Sequence, residues 1–317
     1  MLLALHESTL DQTAADLGVI PLKIIEPISK IPLGQIQTLA LAGGGNRCWW
    51  QGGALSFLLN QGWELPEQLV GTSAGAAVAA SLITDGPRAA LDSCIRLYSA
   101  NPRVFDWNGL SQLKLTFAHQ HVYPAWIDSF INADNFASVL ASKTRLRVGL
   151  TRPAKMLGLA GSVAVGTIAY LIDKHFGGKI HPRLPKFLGL RQDFVDLHSC
   201  QTISDAQALL NASAAAPPLM PAQWIGGSLA IDGGYTDNAP IHDQSAEERS
   251  KTLVLLTRYY SKLPPLFCHA GRIYWQPSQR IPVSTWDCTA RTTVREAFSL
   301  GEKNAAQAIG SGLLSFV

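Results

Sequence analysis

The stretch Val70-Gly71-Thr72-Ser73-Ala74-Gly75-Ala76-Ala77 constrains this chain more than any other. The short lead-in Gln68-Leu69-Val70 has strand character, and the alanine-rich run from Ala76 to Ile83 reads as a helix. Between them, glycines 71 and 75 stand two residues to either side of Ser73. A serine on so sharp a strand-to-helix turn needs neighbours without bulky side chains, because backbone approaches backbone there. The turn lifts the hydroxyl out of the sheet, and the helix N-terminus behind it favours negative charge. That suits a serine that attacks a carbonyl and the oxyanion it creates. The same residues also describe a glycine-rich turn opening an ordinary helix, so the motif needs partners.

A chain of 317 residues can bury a sizeable core in one large domain or two modest ones. Apolar residues are 47% and charged residues 15%, against a usual charged share of about 25%. This fits a globular protein with much buried or lipid-facing surface, not a disordered one. The net charge of +3 gives no reason to expect nucleic acid as a partner. Charge is nevertheless localised. Between Lys143 and Arg191 stand ten Lys/Arg against one acid, Asp173, a net +9 that leaves −6 for the rest. A local basic patch points to a surface partner. The five cysteines (48, 94, 200, 268 and 288) are odd in number and form no C-x-x-C. They argue against a disulfide framework or a zinc site and for a reducing compartment. The start, Met1-Leu2-Leu3-Ala4-Leu5-His6-Glu7, lacks the basic region and apolar length of a signal peptide, so a cytoplasmic protein is expected.

Residues 1–33, with Pro21, Pro27 and Pro32, read as a lead-in to a domain over 34–317. Ile36 to Ala42 has strand length, ends in Gly43-Gly44-Gly45, and is followed by a helix from Trp49 to Leu59. With the strand before Ser73 this makes a βαβ unit, whose parallel strands need a right-handed crossover. The loop Gly43-Gly44-Gly45-Asn46-Arg47 fails as a dinucleotide fingerprint, because Cys48 replaces the last glycine. It also lacks the Gly-Lys-Ser/Thr of a phosphate loop. As an anion cradle beside Ser73 it works unaltered, since successive glycine amides can converge on one oxygen while Arg47 adds positive charge. Pro102 to Tyr123 is aromatic-rich and irregular. His119 and His121 have no third ligand at metal spacing and read as loop or core histidines.

Met156 to Ile172 is a run of seventeen residues without a charge. A buried or cap helix, an interfacial membrane-seeking element and a true span all remain open, the length lying at the bottom of the usual range of about 17–25 residues. Basic flanks favour the interfacial option, because cations meet anionic headgroups while apolar residues seek the acyl boundary.

A serine needs a base to act as a nucleophile at neutral pH. Asp232, His242 and His269 follow the turn. Asp232 with either histidine satisfies the chain order of a Ser-Asp-His triad. Alternatively Asp232 is the direct base, its two following glycines allowing close approach and a water-poor site raising its proton affinity. An Asp before Gly-Gly is also an ordinary turn residue.

Taken together, Gly43-Gly44-Gly45-Asn46-Arg47, Gly71-Thr72-Ser73-Ala74-Gly75, Ala212-Ser213-Ala214-Ala215-Ala216-Pro217 and Asp232-Gly233-Gly234 with Asn238-Ala239-Pro240 occur in order. This set resembles the patatin-like phospholipase family. The resemblance implies a three-layer α/β/α sandwich with a mostly parallel central sheet, and lipid acyl hydrolysis by a Ser–Asp dyad without metal or other cofactor. It carries the nucleophile onto Ser73 and the base onto Asp232. The oxyanion hole falls on Gly43, Gly44 and Gly45, with Arg47 and Ala74. Phospholipid or other lipid esters are the implied substrates. Two departures stand out. Cys48 occupies a position where the family usually has glycine, followed by Trp49 and Trp50, which keeps alive a catalytically idle lipid-binding module. The segment 152–191 looks inserted, and its Arg152, Lys155, Lys174, Lys179, Arg183 and Lys186 are expected to dock on an anionic membrane surface.

Overall fold

The structure, a computed structural model, describes residues 25–106, 116–176 and 180–316. In chain order, β1 (Thr38–Leu41), α1 (Trp49–Asn60), β2 (Gln68–Thr72), α2 (Ala74–Leu82) and α3 (Gly86–Ala100) build the first half. Next come α4 (His119–Asp128), α5 (Phe136–Ala141) and β3 (Arg145–Arg152). An excursion carrying α6 (Gly158–Phe176) and α7 (Leu184–Phe187) returns through β4 (Arg191–Asp196). Then follow α8 (Ile203–Ser213), β5 (Gln223–Ile225), β6 (Ser228–Asp232), α9 (Ala246–Ser250), β7 (Thr252–Leu255), β8 (Leu266–His269), β9 (Arg272–Trp275) and α10 (Val294–Gly310).

The main sheet runs β8-β9-β7-β1-β2-β3, with β6 and β5 beyond and β4 also on β3. The central pairs, β9 with β7, β7 with β1, β1 with β2 and β2 with β3, are all parallel. Helices flank the sheet, giving a mixed α/β fold of the kind the resemblance implies. Strand residues alternate between two cores. Leu39, Leu41, Leu69, Leu146, Val148 and Leu253 enter one, whereas Ala40, Ala42, Val70 and Val254 enter the other. Burial on both faces explains why these strands read as continuous apolar runs.

Register on β3 positions the functional end of the sheet. Thr72, the last residue of β2, lies opposite Gly149. Asp232, the last residue of β6, lies opposite Leu150. The other edge of Gly149 and Leu150 is taken by Phe194 and Asp193 of β4, so β2 and β6 meet end to end along one edge of β3. The residue after Thr72 is therefore brought to Asp232.

The long apolar run forms α6, whose bounds are shifted two to four residues from the sequence reading. Its inward face is made of small residues, with Ser162, Gly166 and Ala169 buried. The Ser162 hydroxyl receives the Ala154 amide at 2.9 Å. Its large apolar side chains point the other way, Leu159, Ile168, Leu171 and Ile172 all being exposed. No helix among the described residues is long and apolar enough to cross a membrane.

The return of the excursion is fastened by His181. One ring nitrogen lies 2.8 Å from Asp237 Oδ2 and the other 2.8 Å from the Tyr274 hydroxyl. Asp237 and Tyr274 are both almost completely buried. Truncating His181 to alanine strips a partner from each, a loss of about 1–3 kcal/mol. The thermal unfolding midpoint of His181→Ala should fall by several degrees, and an unchanged midpoint would show that the latch contributes nothing to holding the excursion.

Candidate active site

Ser73 sits between β2 and α2 with φ 55° and ψ −137°, a backbone conformation that non-glycine residues rarely adopt. Such strain costs on the order of 1–3 kcal/mol and persists only where the surroundings enforce it. Here they do. The Ser73 amide donates to Ser213 Oγ at 2.8 Å, and that hydroxyl donates onward to the Gly149 carbonyl at 2.7 Å. Gly75 lets α2 press against the end of β1, since a Cβ there would come within 2.5 Å of the Ala42 carbonyl oxygen.

The Ser73 hydroxyl donates to Asp232 Oδ2 at 2.7 Å. The other carboxylate oxygen receives the Gly234 amide at 2.7 Å, and the Asp232 amide is held by the Ala215 carbonyl at 2.8 Å. Both side chains are buried. Burial pushes the Asp232 carboxyl up to about 6, with the Gly234 and Ser73 hydrogen bonds pulling the other way. A carboxylate so poised is largely ionised at neutral pH and basic enough to take a proton from the serine as its oxygen attacks.

The three glycines do not play one role. The Gly43 amide donates to the Asn238 carbonyl at 2.8 Å. Its own carbonyl receives Asn238 Nδ2 at 2.8 Å and the Thr257 hydroxyl. Gly43 therefore ties the loop to the segment after Asp232, and its amide is not free for an oxyanion. No acceptor among the described residues takes the amides of Gly44, Gly45 or Ala74. Gly45 has φ +54°, and a Cβ there would run into the Thr285 carbonyl. Arg47 Nε holds the Gly44 carbonyl at 3.3 Å. Cys48 does not obstruct the loop. It is buried, its thiol pushed well above the usual range by that burial, and Sγ lies 3.5 Å from the Ala42 carbonyl. Trp50 turns into the core and donates to Asn304 Oδ1 at 2.9 Å.

Neither histidine proposed as a base shares the bond to Ser73. His242 lies edge-on to Phe194, and His269, at the end of β8, lies against Tyr274 of β9. Among the basic residues expected to dock on a membrane, Arg152 is otherwise employed. It pairs with Asp193 at 2.8 Å and donates to the carbonyls of Ile225 and Ser228. Lys155, Arg183 and Lys186 are exposed. Lys174 lies on α6 with its side chain outside the described set, and Lys179 lies outside the described residues.

Two cavities meet at Ser73. An open groove of about 260 Å³ is lined by Gly44, Arg47, Asp232, Pro217 and, from α6, Thr167 and Leu171. A second, narrow pocket of about 50 Å³ has Trp49, Tyr98, Tyr123 and Trp126 among its walls. The supporting roles of Ser213 and Thr257, and the part of α4 in this pocket, had no sequence signal beyond the small-residue block that contains Ser213.

A family model described as Patatin-like phospholipase matches residues 39–243, which takes in every element that forms the site except Thr257 and the Thr285–Trp286 segment. No curated protein matches the chain.

The raised Asp232 pKa fixes the sign of two pH effects. Deprotonation is required to accept the serine proton, so labelling of Ser73 by a fluorophosphonate should fall as pH drops through about 6 and vanish in Asp232→Asn. Because folding raises this pKa, the fold binds the proton more tightly than the unfolded chain does. Asp232 thus weakens the fold increasingly as pH rises from the ordinary carboxylate range to about 6, and fully above it. Asp232→Asn should melt higher than the wild type at pH 8, by an amount on the order of 2 kcal/mol, and a lower midpoint would contradict the assignment.

Proposed function

Within the patatin-like phospholipase family, to which this chain belongs, we propose that it hydrolyses carboxylic esters of membrane lipids through a Ser73–Asp232 dyad. Family membership makes it a lipid acyl hydrolase in the general sense. The observation that carries the finer reading is the 2.7 Å hydrogen bond from a buried serine on a strained turn to a buried carboxylate poised near neutrality. Ser73 Oγ attacks the ester carbonyl while its proton passes to Asp232. The oxyanion is received by the amides of Gly44, Gly45 and Ala74 at the start of α2, where the helix end adds favourable potential. As the tetrahedral intermediate collapses, Asp232 returns the proton to the departing alkoxide. Asp232 then draws a proton from water as the water oxygen attacks the acyl-enzyme, and returns that proton to Ser73 Oγ when the second tetrahedral intermediate collapses and the fatty acid leaves.

Substrate lies in a membrane, and the excursion between β3 and β4 is suited to meet it. Met156 is fully exposed and Phe187 is 85% exposed, beside the exposed Lys155 and Lys186. Large apolar side chains on the outside of a helix whose inside is small residues invert the usual arrangement of a surface helix. Leu171 of that helix also borders the groove at Ser73, so a bilayer held by this face lies against the mouth of the site. Apolar insertion and headgroup attraction together give an anionic surface as the docking partner.

On a mixed phospholipid extract, Ser73→Ala should abolish fatty-acid release, and Asp232→Asn should lower its rate by about 10²–10⁴-fold. Release that survives Ser73→Ala would remove the mechanism, and loss of turnover in His242→Ala or His269→Ala would favour a triad. Combining Met156→Ser with Phe187→Asp should reduce co-sedimentation with phosphatidylglycerol-containing vesicles several-fold, whereas unchanged sedimentation would rule out docking through this face.

A further inference from the structure

The two cavities at Ser73 divide the substrate between them. The leaving alkoxide must take its proton from Asp232, so the alcohol half departs on the side that Asp232 faces. Asp232 lines the open groove and not the aromatic pocket. The acyl half therefore enters the pocket walled by Trp49, Tyr98, Trp126 and Met220.

That pocket is not uniformly apolar. The Tyr123 hydroxyl and His119 Nδ1 are both buried from solvent and have no hydrogen-bond partner among the described residues. Both residues line the pocket, and they lie four apart on α4, so one helix face presents both. By contrast Tyr98, another phenol of the lining, is satisfied by Asn46 Oδ1 at 2.9 Å. Burial lowers the His119 pKa below its ordinary value, which leaves a neutral ring with one nitrogen as an acceptor, and the ring is held edge-on to Trp286. A plain alkyl chain would leave both atoms unsatisfied, and buried polar groups without partners are costly. A hydroxyl carries one donor and two acceptor lone pairs, the complement of what the two residues offer.

We infer that the preferred substrates are esters of hydroxylated acyl chains, with the chain hydroxyl donating to His119 Nδ1 and accepting from the Tyr123 hydroxyl. This rests on the Ser73 hydrolase reading and specifies its substrate class. The reaction stays an ordinary hydrolysis. Water adds across the ester, and a hydroxy acid and an alcohol leave. A buried water could meet the same two atoms, since such waters make two to four hydrogen bonds. An unsubstituted chain would then have to displace it or stop short of it.

The test compares kcat/KM for p-nitrophenyl octanoate with the esters of 3-, 6-, 7- and 8-hydroxyoctanoic acid. At least one hydroxy isomer should exceed octanoate by about tenfold or more, and in Tyr123→Phe that ratio should collapse towards one. A wild type that turns over octanoate as well as every isomer, or a ratio untouched by Tyr123→Phe, overturns the inference and leaves an ordered water as the occupant. Calorimetric binding of octanoate and the free hydroxyoctanoates to Ser73→Ala separates the two levels. Preferential hydroxy-acid binding with no Ser73-dependent turnover would sink the hydrolase reading while the pocket assignment stands. Turnover without any preference, in rate or in binding, would sink the pocket assignment alone.

Discussion

The hydrogen bond from Ser73 to Asp232 closes a separation of 159 residues, and much of the molecule serves to make it. β3 supplies the ruler. Its Gly149 and Leu150 face the last residues of β2 and β6 along one edge, so a shift of one residue in either pairing would turn Ser73 or Asp232 away. Strand β4 closes the other edge of β3 and keeps that ruler from becoming a free sheet edge. Ser213 then works at the same junction, joining the Ser73 amide to the Gly149 carbonyl through one hydroxyl.

The site stores free energy in two forms. One is the turn at Ser73, with its positive φ. The other is the desolvation of Asp232, which raises the proton affinity of its carboxylate. Each weakens the fold and is tolerated because the surrounding core is large. One core runs from Leu266 of β8 to Ala230 of β6, sealed by α1 and α10 with Trp49, Trp50 and Phe298, and the second lies on the other face of β8, β9, β7, β1 and β2. The excursion after β3 adds a different element. α6 meets the body through Ser162, Gly166 and Ala169, and Gly166 lets it lie on the Tyr235 ring, three residues after Asp232. A face of small residues brings the helix close to the site while leaving its large apolar side chains outside.

Much of this was legible in the residues themselves. The parallel strands announce themselves as apolar runs because both faces are buried. The Gly-x-Ser-x-Gly turn is readable because its constraints are local: Gly75 must admit the Ala42 carbonyl, whatever else the chain does. What could not be read depends on partners far away. Nothing in the triple glycine shows that the Gly43 amide is consumed by Asn238, which leaves Gly44, Gly45 and Ala74 as the available donors. Arg152 looks like a surface cation until Asp193 and two carbonyls of the β5–β6 hairpin are found around it. Polar, half-exposed Arg191–Asp196 carries no apolar signal of a strand. The helix α4 is hidden in an aromatic stretch with Pro124 inside it, so the shared face of His119 and Tyr123 emerges only from the coordinates.

The most direct test of the dyad is a crystal structure of the protein inactivated by a long-chain alkyl fluorophosphonate. Phosphorus should be bonded to Ser73 Oγ, with the phosphoryl oxygen on the amides of Gly44, Gly45 and Ala74, and Asp232 alone at the other side of Oγ. An adduct on another residue, or an imidazole between Oγ and Asp232, would contradict it.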